Sequence, residues 1–419
     1  MIKFIIQFLV YLFFFVSNAR KKKGLQVPSN FIFGLYTLCA LFGIPSIYLW
    51  GMEQSLSDDY WMPTFFFVIC ILIFISPFWM FNESSKDVIK LPSRKVLDNF
   101  SSIIIILSWF SIIYYSSNVY NILTLSDLGA ARTQMGLGNE SYTGSGLWNT
   151  VASVSASLNI FAILLFFIYY IIGNSPIRVM LLLGASLSEP IQVLTFIGRD
   201  GIVFWIFAFV FCYLLFSPYM QTKKKRKLKM ISLMMFAALL IPFSLISSSR
   251  FEESAYGGTF GSIVCYLGQG FINGPLLFGI DNINYTGGLC FPLFFELTGI
   301  KPPASPGMVE IGDWKSWSFS TSIGSLYYNL GPWGLFCFLL VFLSFFIFAV
   351  QSKKTKTFYF HIFVIYLLYF RLVAEGVFYF REYTRGGNLM IILFLFFSMM
   401  FSLIGYKSGI TLKRDKYEK

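Results

Sequence analysis

Residues 62–81 read MPTFFFVICILIFISPFWMF, a run without one charged side chain. A helix of that length rises about 30 Å, the thickness of a bilayer's hydrocarbon core. In lipid such a helix satisfies its own backbone hydrogen bonds and presents only apolar side chains. The signature recurs on both sides of this stretch. Apolar runs fall at about 2–17, 30–50, 62–81, 100–117, 149–173, 177–197, 201–217, 229–247, 324–350, 358–379 and 388–405. They predict an all-α polytopic integral membrane protein with about 11 transmembrane helices, forming one membrane domain over 1–419. Composition agrees: 12% of residues are charged and 56% hydrophobic, against about 25% charged in a soluble domain.

The formal charge of +12 would suggest nucleic acid in a soluble chain, but here it is distributed to set orientation. Segments 20–23, 82–99, 174–178, 221–229, 352–357 and 406–419 hold 23 of the 32 basic residues and five acidic ones, about +18, leaving about −6 elsewhere. Cationic loops resist translocation, so these segments are expected on the cytoplasmic side, with the N-terminus outside and the C-terminus inside. No nucleic-acid partner is expected. The first apolar run precedes its basic cluster, the reverse of a secretory signal, and reads as a retained anchor.

The cytoplasmic loops are short, with little room for a folded domain, whereas two long polar segments, about 118–148 and 248–323, lie outside. Within the second, Phe260 to Leu267, Phe271 to Ile280 and Leu289 to Leu297 are apolar and broken by Gly and Pro. They read as re-entrant or interfacial helices lining a cavity. No internal repeat of the kind that marks many transporters is visible.

His361 is the only histidine and falls near the cytoplasmic end of a span, so no imidazole is expected as an outer-face base or metal ligand. The six cysteines, Cys39, Cys70, Cys212, Cys265, Cys290 and Cys337, read as small apolar fillers. Of these, Cys265 and Cys290 share the outer loop and could pair in an oxidising compartment. Neither a metal nor a cofactor is indicated.

The informative residues are the outer-face arginines Arg132, Arg199, Arg250, Arg371, Arg381 and Arg385. Arginine on the translocated side needs an acidic partner or an anionic ligand, and its guanidinium fork matches phosphate oxygens. Arg199 sits in Phe196-Ile197-Gly198-Arg199-Asp200-Gly201, a turn whose glycines let backbone amides and the Arg converge on one anion. An Arg199–Asp200 pair closing a helical hairpin is the plainer alternative. A second cluster holds Arg371, Glu375, Arg381, Glu382 and Arg385. Arg371 and Glu375 are four apart and share a helix face. Burying such a pair costs desolvation, so a functional cavity explains it better than stability, while a charge ladder at lipid headgroups is the alternative. Tyr285-Thr286-Gly287-Gly288 with Trp314 and Trp317 forms a surface suited to sugar rings or to a membrane interface.

Three features together resemble the Wzy-type oligosaccharide repeat-unit polymerases of bacterial O-antigen and capsule assembly. They are the layout of spans over nearly the whole chain, the Gly198-Arg199-Asp200-Gly201 turn, and the Ser249-Arg250 start of the long outer loop. That loop ends in Ser325-Leu326-Tyr327-Tyr328-Asn329-Leu330-Gly331-Pro332-Trp333-Gly334, similar to the family's Tyr-x-x-Gly-x-x-Gly entry to the next span. The resemblance implies a type C glycosyltransferase-like membrane fold in the bacterial inner membrane. It implies undecaprenyl diphosphate-linked glycan as donor and acceptor, and a chain-length regulator as a further partner. Arg199, Arg250, Asp200, Glu375 and Glu382 become the candidate catalytic residues, with Glu252 a further candidate base. Arg132, Arg371, Arg381, Arg385 and Tyr328 become candidate diphosphate or substrate contacts. A departing diphosphate needs positive charge and the acceptor hydroxyl needs a carboxylate, which these residues supply. The related O-antigen ligase typically has a histidine in this loop, and none lies between 248 and 323. A lipid-linked oligosaccharide flippase would concentrate charge in a central cavity and show two similar halves.

Overall fold

The computed structural model describes every residue except 23, 25, 50, 52–56, 126, 137–145, 174, 252–257, 280–287, 301–309, 312–313, 316–318, 352–355, 407 and 415–419; at 133, 136, 250, 251, 310, 311, 314, 315 and 351 it describes the backbone alone. In chain order the helices begin α1 (Ile2–Lys21), α2 (Pro28–Leu49), α3 (Trp61–Met80), α4 (Arg94–Leu123), α5 (Leu128–Gly136), α6 (Leu147–Ala156), α7 (Asn159–Ile172), α8 (Pro176–Ala185) and α9 (Ser188–Leu194). They continue α10 (Asp200–Phe216), α11 (Thr222–Phe251), α12 (Gly258–Gly268), α13 (Gly270–Phe278), α14 (Pro292–Thr298), α15 (Thr321–Phe346), α16 (Phe360–Ala374) and α17 (Arg385–Ile404). The short strands are β1 (Val88–Lys90), β2 (Glu310–Ile311), β3 (Trp314–Lys315), β4 (Thr357–Tyr359) and β5 (Thr411–Lys413). Among the described residues ten helical segments are long and apolar enough to cross a membrane, or eleven if α6 and α7, bent by 41°, form one span. The protein is therefore an all-α polytopic membrane protein, as its apolar runs require.

Packing divides the chain into two compact units. The first comprises Met1–Lys86, Ala255–Lys356 and His361–Met400; the second comprises Asp87–Ser254, Thr357–Phe360 and Phe401–Lys419.

The first unit is organised around a hairpin of α12 and α13. The carbonyl of Val264 in α12 accepts from Ser46 Oγ at 3.1 Å, one turn on Gly268 lies against the Phe42–Gly43 backbone, and the Phe271 ring reaches Tyr11 and Tyr36 edge-on. The contacts then climb α3 from Phe67 at Gly274 to Tyr60 at Gly279. Ser46 and Tyr60 lie at the end where α2 leads into α3, so both arms of the hairpin open on that side. Glycine is required at its tip, since a Cβ on Gly268 would stand 2.4 Å from the Phe42 carbonyl. Residues 270–277 of α13 are all buried, which α2, α3 and α15 accomplish together.

At the far end of this unit Lys22 is buried rather than solvated. Its ammonium donates to Ser29 Oγ at 3.0 Å, to the Phe78 carbonyl at 2.8 Å, to the Phe81 carbonyl and to Glu83 Oε2 at 2.6 Å. Glu83 Oε1 accepts from the Ser29 amide at 3.0 Å. Burial pulls the Lys22 ammonium below its ordinary value while Glu83 pulls it back up. Because the carbonyls belong to the last turn of α3, the cation also meets the negative end of that helix.

In the second unit the long α4 packs on α6, α8 and α9, and α10 packs on α7 and α9. Lys224 closes the C-terminal end of α7 by donating to the carbonyls of Tyr170 and Ile171 at 3.2 and 2.8 Å. Asp98 gathers Arg178, Tyr169 and, at 3.5 Å, Arg94. The basic loops, too short for a folded domain, carry a three-stranded sheet in the order β4-β1-β5, β1 running parallel to β4 and antiparallel to β5. Its central residues Ile89, Phe358 and Leu412 stand in register and are the buried positions of their strands. One apolar side chain per strand suffices because the strands are only three residues long.

Candidate functional site

Three interrupted elements meet inside the first unit. The α12–α13 tip at Gly270, the start of α15 at Thr321 and the turn that ends α16 come together: a Cβ on Gly270 would lie 3.1 to 3.3 Å from Thr321 and the Val377 carbonyl. Thr321 adopts φ 64°, costly for a β-branched residue and sustained only where surrounding contacts fix it. Its amide donates to the Phe378 carbonyl at 2.8 Å. Buried polar side chains complete the accounting for this broken backbone. Asn273 Nδ2 donates to the Phe319 carbonyl at 2.8 Å, the Phe319 amide donates to Gln269 Oε1 at 3.4 Å, and Ser322 Oγ donates to the Tyr379 carbonyl at 3.2 Å. Non-helical backbone at membrane depth is tolerated only when enclosed by protein or lining a polar cavity.

Against this junction sits the charge cluster anticipated at 371–385. The span Phe360–Val377 is the most enclosed of the candidates, 89% buried. Arg371 Nε pairs with Glu382 Oε1 and approaches Glu375 Oε2 at 3.6 Å, and Arg381 Nη1 reaches the same Glu375 oxygen at 2.8 Å. Two guanidiniums and two carboxylates thus neutralise one another, as burial demands. Glu375 Oε2, Arg381 Nη1 and Glu382 Oε2 are buried without a hydrogen-bond partner among the described residues; the first two face each other as an ion pair, whereas Glu382 Oε2 has no such contact. Gly387 makes room for that oxygen, because a Cβ there would stand 2.7 Å from it and 2.6 Å from Glu382 Cα. Asn388 fixes the loop by donating to the carbonyls of Glu382 and Cys290 at 2.5 and 2.9 Å. Arg385 lies outside the buried set: its side chain is 70% exposed and pairs with Glu296 of α14. It stands at the first turn of α17, where its charge opposes the helix dipole.

The second unit positions Arg199 at the N-terminal end of α10. Arg199 Nη1 donates to Ser247 Oγ at 2.9 Å, and the guanidinium lies over the Phe243 ring. The left-handed residue of this turn is Ile197 (φ 53°), not one of its glycines. Ile197 is fully buried with Ile122, Leu194, Ile202 and Ile246, so apolar packing holds the strain. Gly198 serves close approach instead, since a Cβ there would meet the Val193 side chain at 2.6 Å. Asp200 follows as the first residue of α10 and is half-buried. Arg132 is brought to the same turn, donating to the Phe196 carbonyl at 2.9 Å.

Of the other expected residues, Tyr328 is half-buried on α15, and Arg250 falls in the last turn of α11 with its side chain outside the described residues, as are Glu252, 285–287 and Trp317. Cys265 and Cys290 both carry free thiols, and burial pushes the Cys290 thiol up to about 12. Among the described residues no three His, Cys, Asp or Glu side chains gather around a metal position. Sequence reading passed over Gln269, Asn273 and Asn388. The usable signal was an amide inside an apolar run, with Gln269 and Asn273 four apart on adjoining helical turns. No protein-family model, curated protein or solved structure matches this chain.

Proposed function

We propose that this protein is an inner-membrane glycosyltransferase that polymerises undecaprenyl diphosphate-linked repeat units into O-antigen or capsular polysaccharide. The observation that carries the reading is the buried Arg371–Glu375–Arg381–Glu382 cluster at a junction of broken helices, in which Glu382 Oε2 has neither a hydrogen bond nor an ion pair among the described residues. Such an oxygen suits the general base that takes a proton from an acceptor hydroxyl, and Arg371 holds it in place. Arg371 is spoken for by two carboxylates and acts as a positioning residue. The exposed Arg385, beside the positive end of α17, is the better diphosphate ligand, because an anion there gains from both guanidinium and helix amides. Polymerisation uses two diphosphate-linked substrates. Arg385, exposed at the start of α17, is in keeping with a contact to one of them.

In this reading the basic face is cytoplasmic, the N-terminus is periplasmic and chemistry occurs on the periplasmic side. The test is the surface polysaccharide profile of a deletion strain complemented with the intact gene, Arg199→Ala or Glu382→Gln, each checked for membrane level. Single repeat units on the lipid core, restored to a ladder by the intact gene and by neither variant, support polymerisation. Accumulated lipid-linked polymer would mean a ligase, build-up of single units on the cytoplasmic side would mean a flippase, and an unchanged ladder would sink the proposal.

A further inference from the structure

The second unit has a groove that the chemistry above does not use. It runs between α10 and α11, lined by Phe209, Tyr213, Leu233 and Phe236 with Lys229 and Ser232 at its polar end, and has a volume of about 230 Å3. That is below the roughly 300–1,000 Å3 of pockets that enclose a whole small molecule, and its walls are almost entirely apolar. It lies ten or more residues along α10 from Arg199, roughly 15 Å. The groove faces outward: α11 is the least enclosed span, 11% buried, and Leu233 is 70% exposed.

Charge identifies the occupant. The first turns of α11 carry Lys223, Lys224, Lys225, Arg226, Lys227 and Lys229, and no acidic residue occurs between Asp200 and Phe251. Lys224 is committed to the end of α7, whereas Lys229 is exposed at the mouth of the groove. A basic cluster where a helix enters the bilayer attracts anionic headgroups at about 1 kcal/mol per cation. An apolar slot next to it accepts hydrocarbon at no desolvation cost.

We propose that this groove is a binding site for one anionic phospholipid, with an acyl chain along Phe209, Leu233 and Phe236 and the phosphate at Lys229. The probe is dioleoylphosphatidylglycerol titrated onto the delipidated full-length protein in detergent and followed by native mass spectrometry, with dioleoylphosphatidylcholine as the neutral counterpart. One saturable phosphatidylglycerol is expected, bound at least about fivefold tighter than phosphatidylcholine. Lys229→Gln should weaken it about fivefold, the equivalent of about 1 kcal/mol, while Lys223→Gln, outside the groove, should weaken it less. Leu233→Trp, which fills the slot from its exposed side, should remove the bound lipid while leaving the thermal melt of the protein unchanged. Equal binding of the two lipids, equal effects of the two lysine variants, or full binding to Leu233→Trp would each overturn the site. So would a concentration-dependent dimer abolished by Leu233→Trp, which would make the occupant a second copy of the chain.

Discussion

Among the described residues the first unit buries ion pairs in two places, and the two are finished differently. Around Lys22 the ammonium meets three oxygens besides Glu83, and both Glu83 oxygens are used. Around Arg371 the charges balance in number, yet Glu382 Oε2 stays without a hydrogen-bond partner among the described residues. A buried polar group left incomplete costs about 1–3 kcal/mol. The saturated cluster clasps three helix ends together; the other leaves Glu382 Oε2 open, the oxygen that the proposed function uses as a base. Buried charge at a membrane protein's helix ends is therefore read best by its unmet valences rather than by its number.

Substitutions can break or sharpen that contrast. The largest effect is expected from Glu382→Gln, which keeps shape and removes the basic oxygen: polymer formation should fall by roughly 10²–10⁴, the usual contribution of a general base, at normal membrane level. Unchanged activity would put Glu382 on the structural side of the comparison. Next comes the clasp. Lys22→Met leaves Glu83 buried and unpaired, and the unfolding free energy should drop by about 3–5 kcal/mol, whereas Lys22→Met with Glu83→Gln should recover most of it. The lowered Lys22 value adds a pH signature. The unfolded chain holds that proton more tightly, so intact-protein stability should rise through the alkaline window below 10.5, a rise the double variant lacks. Gly387→Ala forces a methyl against Glu382 and should cost about 1–3 kcal/mol with loss of activity. A melt and a ladder both at wild-type level would show the loop to be more yielding than its packing indicates. Smallest is the response of Cys290, whose thiol burial pushes up to about 12: a water-soluble maleimide at neutral pH should label it only after denaturation.

Much of this was legible in the residues. The spans follow from run length, two short broken helices from the Gly and Pro breaks around 260–267 and 271–280, and the Arg371–Glu375 pair from its four-residue spacing. What escaped was whatever depends on residues far apart in the chain. Lys22 counted as a topology signal because its partner Glu83 lies 61 positions away. The sheet joins three-residue segments near 89, 358 and 412, each too short to show a period. Nothing in the sequence marks Ile197 as left-handed, since a β-branched residue is the least expected carrier of positive φ, and its burial is what sustains it. The open oxygen of Glu382 is likewise a property of the assembled loop.

The α12–α13 hairpin also imposes an order on how the chain is made. With nine residues, α13 rises about 14 Å, under half the hydrocarbon thickness, so it cannot be handed to lipid as a span of its own. Asn273 finds its carbonyl at Phe319, and Gly270 closes on Thr321 and Val377, all of which are synthesised later. The hairpin must therefore wait, half-inserted beside α2 and α3, until α15 and α16 arrive to cover it. The junction that holds the candidate base is consequently among the last parts of the protein to form, and a chain halted before α16 has the greater part of its spans but no site.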